Sequence, residues 1–234
     1  MNRRDLIRGG LAAGATLALP ARALADDLTS QFDRAFAKPI AAPPPLVAVQ
    51  PPAPLPAPID NPAYKRRILE IAKREVEKAG NKVWRRDIAG IADFAQQSAQ
   101  PRFHFANLEN GTVRSFYVAH GRGSDPEHCG YLQSFSNEIG SNATSRGAYL
   151  TCEWYNGKYG TSIRLEGLDR DNSQALPRAI VMHPAAYAAP SMIATYGKLG
   201  RSEGCFAMAP EQFNEALWNL SGGRLLYADR IGIV

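Results

Sequence analysis

The sequence predicts an α+β protein that is mainly β, with one helix near each end of its folded part. An apolar stripe with helical spacing runs through residues 64–79. Strand-like runs follow, and the first two lie on either side of Glu109-Asn110-Gly111, a strong hairpin signal. Helical spacing returns only near the C-terminus, at Phe213, Ala216, Leu217 and Leu220.

Residues 1–25 have the features of an export signal. Arg3 and Arg4 lie in a basic segment, residues 9–19 form an apolar run, and residues 23–25 supply small side chains for a cleavage site. The apolar run is too short for a stable membrane anchor. Paired arginines favour the twin-arginine (Tat) export route, with a Sec-type signal as the alternative. We therefore expect a periplasmic protein with no membrane span after signal removal.

Residues 26–60 read as a Pro/Ala-rich linker. Ten prolines fall between positions 39 and 62. Because each proline fixes φ and lacks an N–H donor, this segment cannot join a sheet or continue a helix. Two interpretations stay open: a linker that holds a catalytic domain away from a surface, and a leader that has no partner.

A folded domain is predicted over residues 61–234. Asn61 and Pro62 are typical of a helix N-cap followed by proline in the first turn. Residues of the predicted core stripe recur three and four positions apart and end at Gly80: Tyr64, Ile68, Ile71, Ala72, Val76 and Ala79.

The middle of the domain reads as a series of strands. The hairpin arms are predicted at 103–108 and 113–120, and further strands at 148–155, 161–165, 179–183 and 225–233. The C-terminal helix is closed by Gly222 and Gly223.

Composition excludes some classes of protein. The chain has 234 residues and 45% hydrophobic content, enough for a full core. Its formal charge is +5, but residues 1–25 contain four arginines and one aspartate, so the remainder carries about +2 (5 − 3). Without a basic patch, the sequence does not indicate a nucleic-acid partner.

His183 and Cys205 are the residues most suited to covalent chemistry. A thiol becomes a strong nucleophile when a base takes its proton, and histidine suits that role near neutral pH. Gly204 would let backbone N–H groups turn toward a substrate carbonyl. The alternative is a buried structural cysteine and a hydrogen-bonded core histidine.

Several segments in order resemble the L,D-transpeptidase catalytic-domain (YkuD-type) family. The signature is His-x-x, sixteen residues (186–201), then Ser202-Glu203-Gly204-Cys205. The other matching segments are Val118–Gly121, Phe135–Asn137, Gly140-Ser141, Thr144–Tyr149, Gly157–Gly160, Leu165–Leu168 and Arg178–His183. The resemblance implies a β-sandwich-like catalytic fold with Cys205 and His183 on one edge and a short helix after Cys205.

Glu203 departs from the histidine that the family usually has before the glycine, and Phe206-Ala207 departs from the usual residues after the cysteine. We expect the Glu203 carboxylate to point outward, because an inward charge would oppose the thiolate. There it would hold an acceptor amine or a neighbouring arginine.

The resemblance also implies roles for individual residues. Cys205 would be the nucleophile and His183 its general base and acid, with no cofactor. Ser202 or its backbone would orient the imidazole, and the N–H groups of Gly204 and Cys205 would hold the oxyanion. Residues expected to contact substrate are Arg201, His120 and Tyr187.

The implied activity is acyl transfer on peptidoglycan stem peptides, with carbapenem-type β-lactams as inhibitors. An acyl-thioester at Cys205 would pass to an amine, giving a 3→3 cross-link. One alternative is hydrolysis by an L,D-carboxypeptidase or another murein amide hydrolase. A second is a non-catalytic domain that binds the cell wall.

The three cysteines allow one pair. If Cys205 stays free, Cys129 and Cys152 form a natural disulfide in an oxidising compartment. Two free thiols are the alternative. His120, His128 and Cys129 could ligate zinc, but they lack the paired spacings of zinc sites, so we expect no metal.

Overall fold

The computed structural model describes residues 61–232. The predicted signal peptide (1–25) and linker (26–60) lie outside the described residues and stay predictions. Within residues 61–232, no helix has the length and hydrophobicity needed to span a bilayer.

The first helix forms as the sequence predicts. Helix α1 (Pro62–Ala79) is capped by the Asn61 side chain, which accepts from the N–H groups of Ala63 (2.9 Å) and Tyr64 (3.3 Å). This cap satisfies donors that have no partner inside the first turn. The helix ends at Gly80, whose φ of +58° suits glycine. The apolar stripe is buried against the sheet.

The described strands form one mixed sheet of eight strands, which confirms the α+β, mainly β class. In chain order the remaining elements are β1 (Ile88–Asp93), β2 (Phe103–Asn107), β3 (Thr112–Phe116), β4 (Gly147–Gly157), β5 (Gly160–Gly167), β6 (Val181–Pro184), α2 (Pro190–Tyr196), β7 (Phe206–Met208), α3 (Pro210–Leu220) and β8 (Leu225–Asp229). Their order across the sheet is β3-β2-β1-β8-β4-β5-β6-β7. The pairs β1–β8 and β6–β7 are parallel, and the other pairs are antiparallel.

The sheet curls around its main core. Phe105 on β2 and Phe206 on β7 belong to one buried cluster, although their strands lie near opposite ends of the sheet. The two ends also approach through a bridge in which the Ala119 N–H donates to the Ala207 carbonyl (2.8 Å). Helix α3 adds Phe213 to this cluster, whereas α1 covers a second cluster. Each large apolar side chain buried here contributes about 1.5–3 kcal/mol.

The predicted hairpin is confirmed, but its second strand is shorter than expected. Strand β3 ends at Phe116, and residues 117–121 leave the hairpin to run beside Ser202 and Ala207. Strand β1 is not predicted because five of its six residues are buried, which removes the alternating pattern. Helix α2 and strand β7 are too short to give a periodic signal.

The disulfide expected from the cysteine count is not formed in the structure, where all three cysteines are free thiols. Cys129 lies in an exposed turn, and its sulfur contacts the Tyr131 carbonyl. Cys152 is half-buried on β4 beside the α1 cluster. The two residues therefore occupy different environments, and sequence separation did not report their distance in space.

Candidate active site

The parallel pairing of β6 with β7 brings His183 and Cys205 to the same edge of the sheet. His183 on β6 pairs with Ala207 on β7. Cys205 directly precedes β7, and its sulfur reaches the backbone of β6 two residues before His183. The Val181 N–H, also on β6, donates to the Cys205 sulfur. The sequence signature thus corresponds to adjacent positions in the fold.

Cys205 opens onto a cleft of about 460 Å³. One wall comes from the turn between β4 and β5, with Lys158 and Tyr159, and another from residues 139–142. Arg178 and Glu203 supply further charged groups. A cleft of this volume lies within the range that holds small-molecule ligands.

The turn that carries Cys205 is held by Ser202. Its hydroxyl donates to the Cys205 carbonyl (2.6 Å) and accepts from the Gly204 N–H (3.2 Å). Gly204 has φ +114°, a backbone conformation that is strained for any residue with a side chain. A Cβ at Gly204 would also lie 2.8 Å from the Ala143 carbonyl oxygen. The turn therefore requires glycine next to Cys205.

A second segment supports this turn from behind. The Ser202 N–H donates to the His120 carbonyl (2.9 Å), and the Arg122 N–H donates to the Ser202 carbonyl (2.8 Å). Gly121 lies so close that its Cβ would be 2.7 Å from the Gly204 Cα. The segment at residues 119–121 thus supports the turn at residues 202–205 through its backbone.

The environment of His183 fixes which ring nitrogen can act as a base. Its Nδ1 lies 3.0 Å from the Pro184 carbonyl oxygen, which can only accept a hydrogen bond. Nδ1 therefore carries the proton, and Nε2 presents its lone pair. The Tyr187 hydroxyl lies 3.5 Å from Nε2, and the Tyr159 ring stacks on the imidazole.

Both members of the pair are neutral at rest. Burial raises the pKa of the Cys205 thiol, although the Val181 N–H and the Arg178 charge act in the opposite direction. Burial also lowers the pKa of His183. Cys205 Sγ donates to the Ala179 carbonyl at 3.7 Å. Near neutral pH the site therefore holds a neutral thiol beside a neutral imidazole.

His120 does not line the cleft, contrary to the sequence-based expectation. Its side chain is 1% exposed. Arg102 Nη2 lies 2.5 Å from His120 Nδ1, and Asp125 lies 3.3 Å from Nε2. Because arginine only donates, Nδ1 accepts and Nε2–H donates to Asp125. The buried group of Arg102, His120 and Asp125 is therefore a structural support for the turn at residues 202–205.

Two other expected roles also need correction. Arg201 does not face the cleft, because its guanidinium donates to the carbonyls of Asp125 and Pro126 (3.1 Å for the latter). Ser202 does not orient the imidazole through its side chain, since its hydroxyl contacts are with Gly204 and Cys205. Tyr187 contacts His183 itself.

Tyr159 and Arg178 were not identified as site residues from the sequence. Tyr159 lies in a Gly-Lys-Tyr-Gly turn, where an aromatic residue between two glycines could have signalled a ring presented at a hairpin tip. Arg178 precedes β6, and nothing in its local pattern indicates its contacts. Within residues 61–232, no group of three or more His, Cys, Asp or Glu side chains could hold a metal ion.

Solved structures that the chain matches include L,D-transpeptidases. The chain matches LdtMt1 in complex with imipenem at 13% identity and TM-score 0.38, over 61% of this chain and 59% of that one. It matches L,D-transpeptidase 3 from Mycobacterium tuberculosis, in complex with a faropenem-derived adduct, at 13% identity and TM-score 0.40, over 61% and 60%. It matches the helical cell shape determining protein Pgp2 (K307A mutant) from Campylobacter jejuni at 12% identity and TM-score 0.41, over 74% and 58%.

The match therefore spans less than two thirds of these structures' own length. No curated protein sequence matches the chain. The family profile YkuD_2, L,D-transpeptidase catalytic domain, matches residues 60–228. Since that range covers well over half of the 234 residues, the chain belongs to the L,D-transpeptidase catalytic domain family.

Proposed function

We propose that this protein is a peptidoglycan L,D-transpeptidase that uses Cys205 as its nucleophile. The observation that carries the proposal is the pairing of β6 with β7, which places His183 on the strand next to the segment that carries Cys205. Cys205 lines the cleft, and so does Tyr159, whose ring stacks on the His183 imidazole. Family membership supports the same reaction class. The fold alone would not assign the substrate.

In the first step, the Cys205 sulfur attacks the carbonyl carbon of the L-centre at stem position three. His183 Nε2 takes the thiol proton. The bond between this carbonyl and the nitrogen of the terminal D-residue then breaks, and the protonated His183 gives its proton to the departing amine. An acyl-thioester remains on Cys205.

In the second step, the side-chain amine of another stem attacks the thioester carbonyl, and His183 takes a proton from it. The thiolate leaves and recovers a proton, which yields a 3→3 cross-link and free enzyme. The N–H groups of Gly204 and Cys205 would stabilise the oxyanion in both steps. The Gly204 N–H must then exchange its 3.2 Å contact with Ser202 for the substrate oxygen.

Peptidoglycan as substrate places the reaction in the periplasm, in agreement with the export signal predicted at residues 1–25. Some similar structures contain imipenem or a faropenem-derived adduct. We extend this to the present chain and expect carbapenem-type β-lactams to acylate Cys205, because a strained lactam carbonyl offers the same electrophile as the stem peptide.

The test is incubation of the purified protein with a disaccharide-tetrapeptide, followed by mass analysis. Cross-linked dimers that lack one terminal D-residue are expected. Release of tripeptide without dimers would identify a hydrolase, and absence of both products together with absence of β-lactam adducts would contradict the proposal.

A second measurement assigns the nucleophile. Cys205→Ala should lose both turnover and the carbapenem adduct while keeping the fold, whereas Cys129→Ala and Cys152→Ala should keep the adduct. These two cysteines are matched controls, because neither lines the cleft. An adduct that persists in Cys205→Ala would show that the assignment is wrong.

A further inference from the structure

Arg178 is a cation beside the nucleophile turn, held by the loop at residues 136–145. Its Nη1 donates to the Ser136 carbonyl (2.7 Å) and the Ser145 hydroxyl (2.6 Å). Its Nη2 donates to the Ser141 hydroxyl (3.3 Å) and to the Ala143 carbonyl. Four of the five guanidinium N–H groups are therefore used by one loop.

Every one of these partners is a neutral oxygen. Among the described residues, none of the ion pairs includes Arg178. Glu203, the acidic residue of the cleft, is paired with Arg122 at 3.2 Å. Burial lowers the pKa of Arg178, but arginine keeps its charge in proteins. Within residues 61–232, the positive charge of Arg178 therefore has no carboxylate partner.

The charge lies close to the turn that carries Cys205. A Cβ placed on Gly204 would be 3.1 Å from Arg178 Nη2. An opposite charge within about 4–6 Å typically moves the pKa of an ionisable group by one to three units. The titratable and charged groups around Cys205 are Arg178, His183, Tyr187, Glu203, Tyr149, Tyr155, Tyr159 and Lys158.

Among these groups, Arg178 is a permanent cation fixed by several hydrogen bonds. The Lys158 ammonium lies over the Tyr159 ring, 5.4 Å from its centroid, at the tip of the β4–β5 turn. Tyr149, Tyr187 and Glu203 are neutral or negative and cannot stabilise a thiolate by charge. A substrate carboxylate is a poor ligand for Arg178, because only its Nε–H remains for a further hydrogen bond.

We propose that Arg178 is a positioning residue whose guanidinium charge, fixed by the 136–145 loop, stabilises the thiolate of Cys205. This deepens the proposed function, since it explains how a buried thiol can ionise during attack. It does not require turnover for its test, because thiol ionisation is measured directly.

The experiment is the pH profile of Cys205 alkylation by iodoacetamide, followed through the mass of the Cys205 peptide so that Cys129 and Cys152 do not contribute. Wild type, Arg178→Lys and Arg178→Gln are compared, with thermal unfolding as a check on the fold. Both substitutions break the forked hydrogen bonds, but only Arg178→Gln removes the charge. The comparison therefore separates charge from loop geometry.

In Arg178→Gln, the midpoint of the profile should rise by about one pH unit or more. The alkylation rate at pH 7 should fall about threefold for each pH unit by which the midpoint rises. The fall is less than tenfold because a more basic sulfur is also a stronger nucleophile, which partly offsets the smaller thiolate fraction. In Arg178→Lys, the midpoint should stay within about half a unit of wild type.

An unchanged profile in Arg178→Gln would overturn the proposal, and so would an equal displacement in Arg178→Lys. If Arg178→Gln does not fold, the Arg178→Lys profile decides: a midpoint near wild type supports the charge effect, and a rise of a full unit contradicts it. Failure here would leave the proposed transpeptidase activity intact, because that activity is tested by products and adducts.

Discussion

The ring of Tyr159 lies flat against the imidazole of His183, with the ring centroids 4.4 Å apart and the planes 21° apart. Tyr159 belongs to the turn between β4 and β5, whereas His183 lies on β6. The two residues are brought together because β5 pairs with β6. The hairpin therefore holds the proposed base in a fixed orientation.

Removal of this stack should slow acylation. Tyr159→Ala is expected to reduce the rate of carbapenem acylation roughly two- to tenfold, since an aromatic pair is worth about 0.5–1.5 kcal/mol. Tyr159→Phe keeps the ring and should react like wild type. Stopped-flow measurement of acylation checks this. If Tyr159→Phe were as slow as Tyr159→Ala, the hydroxyl and not the ring stack would be responsible for the effect.

Gly204→Ala should damage both stability and activity. The new Cβ would meet the Ala143 carbonyl at 2.8 Å in a backbone with φ +114°, so we expect a loss of about 2–3 kcal/mol of unfolding free energy. Gly111→Ala is the matched control, because Gly111 has φ +68° and no atom within 4 Å of its Cβ position. It should cost only about 1–2 kcal/mol and leave acylation unchanged.

Chemical denaturation measures the stability of both glycine variants, and acylation rates measure their activity. Acylation by Gly204→Ala should fall more than tenfold, because the turn must shift to relieve the contact with a backbone oxygen. Equal losses in the two variants would mean that close packing around Gly204 has no effect.

Glu203→Gln should have little effect on acylation. Glu203 is paired with the neighbouring Arg122, as the sequence interpretation allowed, and both side chains are more than half exposed (61% and 56%). Exposed pairs of this kind contribute little free energy. The acylation rate should stay within a few-fold of wild type, with any loss in transfer to the acceptor. A hundredfold decrease, about 2.7 kcal/mol of barrier, would place Glu203 in the catalytic machinery.

Acid should destabilise the fold through its buried histidines. Burial lowers the pKa of His104 to about 4, and the pKa values of His120 and His183 are lowered as well. Above pH 6.5 these rings are neutral in both the folded and unfolded states. As the pH falls below 6.5, only the unfolded chain gains protons, so stability is lost.

For His104 the loss should approach about 1.4 kcal/mol per pH unit and about 3 kcal/mol in total between pH 6.5 and 4. Urea denaturation at pH 7, 6, 5 and 4.5 measures this slope. His104→Gln should lower the slope of unfolding free energy against pH by the contribution of His104. This holds even if the variant is less stable at pH 7. An identical slope in the variant would contradict the assignment.

Local sequence patterns are sufficient to predict several elements of this protein. Asn61 and Gly80 mark the ends of α1 because capping and positive φ are local requirements. The Asn-Gly turn specified the β2–β3 hairpin in the same way. The turn before Cys205 could be predicted for the same reason, because the positive φ of Gly204 is a local backbone requirement.

Contacts between side chains that are far apart in sequence depend on how the strands are arranged in the fold. His120 is buried against Arg102, which lies 18 positions earlier in the chain, as well as against nearby Asp125, and so its role could not be read from its neighbours in sequence alone. The same reason applies to Arg201, which donates to a carbonyl far away in sequence, and to Cys129 and Cys152, which are free thiols in the structure. Side-chain contacts follow from the order and curl of the strands, and these arise from burial summed over the whole sheet.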